Sequence, residues 1–255
     1  MSTPARDLQV RVEGLSVAYG DFLVQQDLNF GIRRGDIFIV MGPSGCGKTT
    51  VMRSLIGLLA PTAGRVLYGS ESLWEGDASE RACLMRRNGV MYQSGALWSS
   101  LTLGENVGLP LEQYTDLSPR QIRDIAAYKL ALVGLKGFDD FYPAQVSGGM
   151  QKRVGVARAM ALDPDTLFFD EPSAGLDPIS ARHLDNLILQ LRDGLGTTMV
   201  VVTHELASLL AIGDDAVFLD AETKTMLTTG KPSELRDHCP DARVRSFLTR
   251  GEAAP

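Results

Sequence analysis

The stretch IFIVMGPSGCGKTT, residues 37–50, constrains the fold more than any other part of the chain. Five apolar residues, Ile37 to Met41, run directly into Gly42. From Gly42 to Thr49 the residues fit the spacing G-x-x-x-x-G-K-S/T. Val51, Met52, Leu55, Ile56 and Leu59 then recur at helical spacing. A buried strand, a glycine-rich turn and a helix start together aim backbone N–H groups at an anion, and the helix adds its positive pole. The implied ligand is a polyphosphate cradled by Gly42, Pro43, Ser44, Gly45, Cys46, Gly47, Lys48, Thr49 and Thr50. Lys48 supplies charge to the outer phosphates, and the Thr49 hydroxyl ligates Mg2+. Cys46 occupies a free position of the loop, as filler or as a thiol that reports on alkylation.

Other continuous apolar runs are TLFFD (166–170), TTMVVVTHE (197–205) and AVFLD (216–220). Runs of this kind suit strands buried on both faces. Between TLFFD and TTMVVVTHE, Leu184, Leu187, Ile188 and Leu191 mark a helix over 178–193. Strands alternating with helices predict an α/β fold with a largely parallel sheet. From about 95 to 162 strand signals are few. QIRDIAAYKLALVGL reads as a helix stopping near Gly134 or Gly137, and a second helix follows Gly149. This region reads as a helical insertion between two halves of the sheet. The last residues, ending GEAAP, are expected to fray.

TLFFDE sets Asp170 and Glu171 at the carboxyl end of an apolar strand, where open α/β sheets bind ligands. Phosphoryl transfer to water needs a metal on the phosphates and a group that places the water. Asp170 suits the metal and Glu171 suits the water. Further on, VSGGM (146–150) supplies a second serine–glycine helix start, far from the first cradle.

Bulk properties exclude several classes. The net charge is −6, and the basic clusters Arg86–Arg87 and Lys152–Arg153 are short, which argues against a nucleic-acid partner. Three cysteines, Cys46, Cys83 and Cys239, form no framework and no Cys-x-x-Cys pair, so disulfides and structural zinc are not expected. No apolar run is long enough to span a bilayer and no secretory core opens the sequence. The expectation is a cytoplasmic chain that meets a membrane only through a partner.

Taken singly, Tyr19 reads as a hairpin aromatic, Gln93 as a surface amide and His204 as a strand-end histidine. Taken in order with the motifs above, they resemble ATP-binding cassette ATPases along nearly the whole chain. The resemblance implies a P-loop fold with an antiparallel N-terminal β part and one domain over 1–255. Within it, 1–94 and 163–235 form the nucleotide-binding core lobe, 95–162 a helical subdomain carrying the signature, and 236–255 a C-terminal extension. It implies that Tyr19 in LSVAYGD stacks on the adenine of ATP. Gln93 in MYQSGAL joins Thr49 and Asp170 around Mg2+. His204 contacts the γ-phosphate, so that Glu171, His204, Gln93 and Lys48 form the catalytic set. Two copies pack head to tail as a homodimer, so Ser147, Gly148 and Gly149 close over the partner's nucleotide, and Asp177 in AGLDP lies at the dimer contact. Val146 and Met150 depart from the usual leucine and glutamine of the signature. The methionine removes a polar side chain from that surface.

QSGALWSSLTLGENVGLPL, SGGM, LDPIS and the tail GKPSELRDHCPDARVRSFL are similar to the ATPases serving MCE-protein lipid transporters, the Mla-type systems that move phospholipid between bacterial membranes. That resemblance implies an MCE-domain partner and a position on the cytoplasmic face of the inner membrane. It also implies a tail reaching the neighbouring ATPase subunit, against the alternative of a tail folded on its own domain. Ala96, Leu97 and Trp98 follow Gln93 and suit a groove for a helix of a membrane permease, or ordinary packing of the insertion. A cassette serving another solute, a nucleic-acid-associated cassette and a non-hydrolysing scaffold are the alternatives. Charge opposes the second of these and Glu171 the third.

Overall fold

The structure, a computed structural model, describes residues 8–93 and 95–250. The chain begins with β1 (Leu8–Tyr19), β2 (Phe22–Arg33), β3 (Ile37–Met41), α1 (Lys48–Leu55), β4 (Ala63–Tyr68) and β5 (Glu71–Ser72). It continues through α2 (Ala78–Arg86), β6 (Asn88–Met91), α3 (Leu103–Tyr114), α4 (Pro119–Leu132) and α5 (Gly148–Ala159). β7 (Thr166–Asp170), α6 (Pro178–Leu195), β8 (Thr198–Val202), α7 (Leu206–Ile212) and β9 (Asp215–Leu219) follow. β10 (Met226–Thr229), α8 (Pro232–His238) and α9 (Ala242–Leu248) complete it.

The continuous apolar runs do what two-sided burial requires. In β3, Ile37, Ile39 and Met41 face one core while Phe38 and Val40 face another. β8 alternates the same way, with Met199 and Val201 on the first side and Val200 and Val202 on the second. A strand covered on both faces has no position for a polar residue, hence no alternation in the sequence. Five of these strands pair in parallel in the order β9-β3-β8-β7-β6, and β10 adds an antiparallel edge beside β9. A second, antiparallel sheet of order β2-β1-β4-β5 lies across the second core, with α1 between the sheets. Helices α3 to α6 cover the first core.

The strands IFIVM and TLFFD have the bounds read from the sequence. The run at 197–205 is shorter than expected, because β8 ends at Val202. Thr203 still donates to Val40 O at 3.3 Å, but His204 and Glu205 leave the ladder. α6 outlasts its expected end at 193 and stops at Gly196, which takes the left-handed φ of 66°. Among the described residues no strand lies between β6 and β7, in keeping with a helical insertion. α3, with Pro110 inside it, and the short polar strand β6 carry weak sequence signals.

The tail packs against the first core through α9. The division at 236 falls inside α8, and as far as Arg250 the segment folds on its own domain. Val244 and Leu248 are buried, and Phe247 meets Phe218 edge-on at 5.2 Å. The Arg243 guanidinium bonds the Asp220 carboxylate at 3.1 Å. Residues 251–255, expected to fray, lie outside the described residues.

Asp185 on α6 is a cost to this core. It is buried, accepts a hydrogen bond from Ser208 Oγ at 2.8 Å on one oxygen, and has no partner for the other. Burial raises its pKa above the ordinary carboxylate value. A raised carboxylate pKa favours folding only while the group is protonated, so its contribution is lost as pH rises through and just above the carboxylate range. Asp185→Asn is therefore expected to stabilise the chain at neutral pH by about 1 kcal/mol. Thermal melts should show that advantage shrinking as pH falls into the carboxylate range.

Candidate functional site

The carboxyl ends of β3, β8 and β7 lie side by side, in a register that aligns Val40, Val202 and Asp170 across the three strands. The loop after β3 turns at left-handed glycines, and Gly47 decides its course. At φ 99° it caps α1, and a Cβ there would stand 2.4 Å from Val24 Cγ1 on β2. Only glycine satisfies both the dihedral and the space. Ser44 and Gly45 stand exposed at the tip. Cys46 is buried, and burial pushes its thiol pKa up, so the loop cysteine is filler rather than a reactive group. Lys48 is also buried, its ammonium donating to Gly42 O at 2.9 Å and Pro43 O at 3.0 Å. The lysine thus folds back over the loop it follows.

The Thr49 hydroxyl donates to Asp170 Oδ1 at 2.9 Å, reaching over β8 from one strand end to another. Asp170 is buried, and that burial raises its pKa, partly opposed by the Thr49 hydrogen bond. Glu171 follows in the left-handed region at φ 48°, which L side chains rarely adopt, with its N–H on Val202 O at 2.8 Å. The result turns its carboxylate back over the strand ends. Oε1 lies 2.7 Å from His204 Nδ1, and Oε2 is buried without a partner. Beyond the end of β8, His204 therefore stands opposite Glu171, while Thr203 Oγ1 accepts from the Glu205 N–H at 3.1 Å.

Tyr19 ends β1 at a two-residue hairpin opposite Phe22. It is half exposed, and its hydroxyl accepts from Arg53 Nη1 on α1 at 3.2 Å. That hydrogen bond holds its pKa below the usual phenol value. Gln93 is exposed just beyond β6. Its backbone carbonyl accepts from the buried Lys152 ammonium of α5. Arg158, two turns along the same helix, donates to Gly95 O and Ala96 O, both at 2.7 Å. Between them Gly155 lets the helix approach, since a Cβ there would stand 3.3 Å from Gly95 Cα. α5 therefore grips the turn that carries Gln93.

Ser147 caps α5, its Oγ accepting from Met150 N at 3.3 Å. Asp177 caps α6, accepting from Ile179 N and Ser180 N, both at 3.0 Å. Both are exposed, and their hydrogen bonds are local. Among the described residues a Cβ added to Gly148 would meet nothing within 4 Å, and one at Gly149 only Ser180 at 3.7 Å. Loop 42–50, Asp170, Glu171 and His204 thus come together at the strand ends, with Tyr19 at α1 beside them. Ser147, Gly148, Gly149 and Asp177 form a separate surface.

The family profile for ABC transporters matches residues 25–174. The chain belongs to the ABC transporter family. The cassette is 37% identical over 244 residues to the intermembrane phospholipid transport system ATP-binding protein MlaF of Haemophilus influenzae, covering 96% of this chain and 91% of that protein. It is 35% identical over 248 residues to the probable ribonucleotide transport ATP-binding protein mkl of Mycobacterium tuberculosis, covering 97% of this chain and 68% of that one. Among solved structures it resembles the dimeric post-hydrolysis state of the ATP-binding cassette MJ0796 bound to ADP and Pi, with TM-score 0.78 and 30% identity over 87% of this chain and 98% of that one. The cassette is accordingly an ATPase subunit of an ABC transporter. No described helix is long and apolar enough to cross a membrane.

The donor set fits Mg2+. A hydroxyl and a carboxylate are hard oxygen ligands, and Mg2+ in phosphate sites takes few protein ligands beside water and substrate oxygens. Among the described residues no cluster of three or more His, Cys, Asp or Glu side chains competes as a metal site. A groove of about 440 Å³ opens beside Tyr92, lined among others by Ile56, Leu58, Met85, Pro110 and Tyr114. Trp98 is outside that lining, although 63% exposed, and Asn106 pins its backbone N–H at 2.8 Å. Sequence reasoning passed over Arg53 and Arg158 and saw Lys152 only as part of a short basic cluster, because their partners lie on segments far along the chain.

Gly47→Ala should break the loop through both its dihedral and Val24. The expected cost is about 1–3 kcal/mol in stability and at least about tenfold in ADP affinity, read by thermal melts and titration calorimetry. Parental ADP affinity would contradict the geometry.

Proposed function

We propose that two copies of the cassette close head to tail on ATP and energise a permease that moves phospholipid between bacterial membranes. The carrying observation is the cluster at the strand ends: Thr49 bonded to Asp170 at 2.9 Å, and Glu171 facing His204 at 2.7 Å. Bound Mg2+ would neutralise the phosphates, held by Thr49 and Asp170 with Gln93 joining from the neighbouring strand end. Loop 42–50 binds the phosphates and Lys48 exchanges its carbonyl partners for them. Tyr19 stacks on adenine. The unpartnered oxygen of Glu171 accepts a hydrogen bond from the attacking water, and His204 orients that carboxylate and reaches toward the γ-phosphate.

Ser147, Gly148 and Gly149 act in trans. Gly148 supports this reading, because nothing among the described residues requires a glycine there. A bare helix start suits close approach by a partner's phosphate, and Asp177 lies on the same face of the dimer. Residues 1–94 and 163–235 serve as the core lobe and 95–162 as the helical subdomain, seated by α5 on the Gln93 turn. The apolar groove beside Tyr92, near the Gln93–Trp98 segment, suits a permease helix. The likeness to a phospholipid-transport ATP-binding protein supports extending the reading to an MCE-domain partner and a place on the cytoplasmic face of the inner membrane. The likeness to mkl supports a second reading, in which the cargo is a ribonucleotide.

Glu171→Gln in the assembled transporter tests the proposal. ATP turnover should fall by about a hundredfold or more, an ATP-bound pair should accumulate, and labelled phospholipid should stop moving between vesicles. Parental turnover in the variant would refute the role of Glu171. Active hydrolysis by the parent with ribonucleotide moving and phospholipid static would select the second cargo.

A further inference from the structure

Gln25 is fully buried on β2, beneath the loop that follows β3. Its side-chain nitrogen donates to Cys46 O at 2.7 Å and to Asp220 O, just past β9, at 2.9 Å. Both partners are acceptors, which fixes the orientation of the amide: nitrogen toward the loop, oxygen away. That oxygen is buried with no partner among the described residues. Gln25 Cγ also lies 3.4 Å from where a Cβ on Gly47 would stand, so the side chain packs against the 46–47 peptide. An amide carrying an unsatisfied buried acceptor is costly beside a core built of aliphatic and aromatic side chains. A methionine or leucine would fill the same volume without that cost.

We propose that Gln25 is a positioning residue for nucleotide binding, which sets the direction of the Cys46–Gly47 peptide. A trans peptide holds its C=O and N–H on opposite sides. Capturing Cys46 O from behind turns the Gly47 N–H away from Gln25 and toward the anion side of the loop. Glycine at φ 99° has no side chain to resist a peptide flip, so something outside the loop must select one orientation. Gln25 does so, and the same nitrogen ties that orientation to the end of β9 across the antiparallel sheet. The effect falls on the phosphates that ATP and ADP share, not on the γ-phosphate.

The proposal rests on loop 42–50 being the phosphate cradle, and the test separates the two claims. The probes are Mg-ADP and inorganic pyrophosphate, titrated against purified full-length chain well below its melting temperature. Gln25→Met keeps volume and removes the donor, and is compared with Ile188→Val, a core change far from the loop in sequence, as a control for general destabilisation. Gln25→Met should weaken both probes by about tenfold or more relative to the control. In the assembled transporter KM for ATP should rise by a similar factor, with kcat at saturation much less affected. Should Gln25→Met fail to fold, Gln25→Asn, too short to reach both carbonyls, carries the same expectation. Affinities within about twofold of the control overturn the proposal while Lys48→Ala still abolishes binding. Undiminished binding by Lys48→Ala overturns the cradle itself, and this proposal with it.

Discussion

The hydrogen bond from Thr49 to Asp170 joins the two halves of the chain at the point where chemistry occurs. It is possible only because β3, β8 and β7 are neighbours with Val40, Val202 and Asp170 in one row. A one-residue slip in either ladder would send the Asp170 side chain to the opposite face of the sheet. Two-sided burial of the strands prevents that slip, since every apolar residue in β3, β7 and β8 already has a core to fill. Packing energy spread over the sheet is thereby concentrated on the placement of one carboxylate.

The same strand ends carry features that oppose stability. Glu171 sits in a disfavoured backbone region, one of its oxygens is buried unpaired, and burial raises the pKa of Asp170 beside it. Groups left unsatisfied in the chain alone are those that an incoming cation, phosphate or water would satisfy. Gln25 follows similar logic one layer below, where a polar side chain sits among apolar neighbours in order to hold a backbone carbonyl. Local strain and buried polarity are thus gathered around the loop, and the flanking sheet and helices supply the stability that tolerates them.

Much of this was legible in the sequence because the informative residues are local. Strand, glycine loop and helix are consecutive from Ile37 to Leu55, so β3, α1 and the cradle could be read together. TLFFDE placed Asp170 and Glu171 because a strand end was followed at once by carboxylates. TTMVVVTHE was read too long: Thr203 still bonds Val40 O, but His204 and Glu205 leave the ladder and His204 turns toward Glu171. β6 was passed over because four residues beginning with asparagine and glycine lack a strand signal. Gln25 and Arg158 left no sequence trace, and Lys152 showed only as half of a short basic cluster. Each bonds backbone carbonyls on distant segments, and a carbonyl has no residue type to read. In the tail Val244, Phe247 and Leu248 supply an apolar stripe that packs on the first core of the same chain.

The account makes each chain half of a site: one surface holds the phosphates at the strand ends, and the other presents Ser147 and its glycines away from them. α5 links the two, capped by Ser147 at its start and gripping the Gln93 turn further along. The most direct measurement is a distance between exposed positions of the two surfaces. In a Cys83→Ser background, chains bearing Ser44→Cys are mixed with differently tagged chains bearing Ser147→Cys and treated with a short bis-maleimide in the presence and absence of Mg-ATP. The account predicts a link between unlike chains that forms only with ATP. Failure of that link to form, or an equal yield without nucleotide, would contradict it.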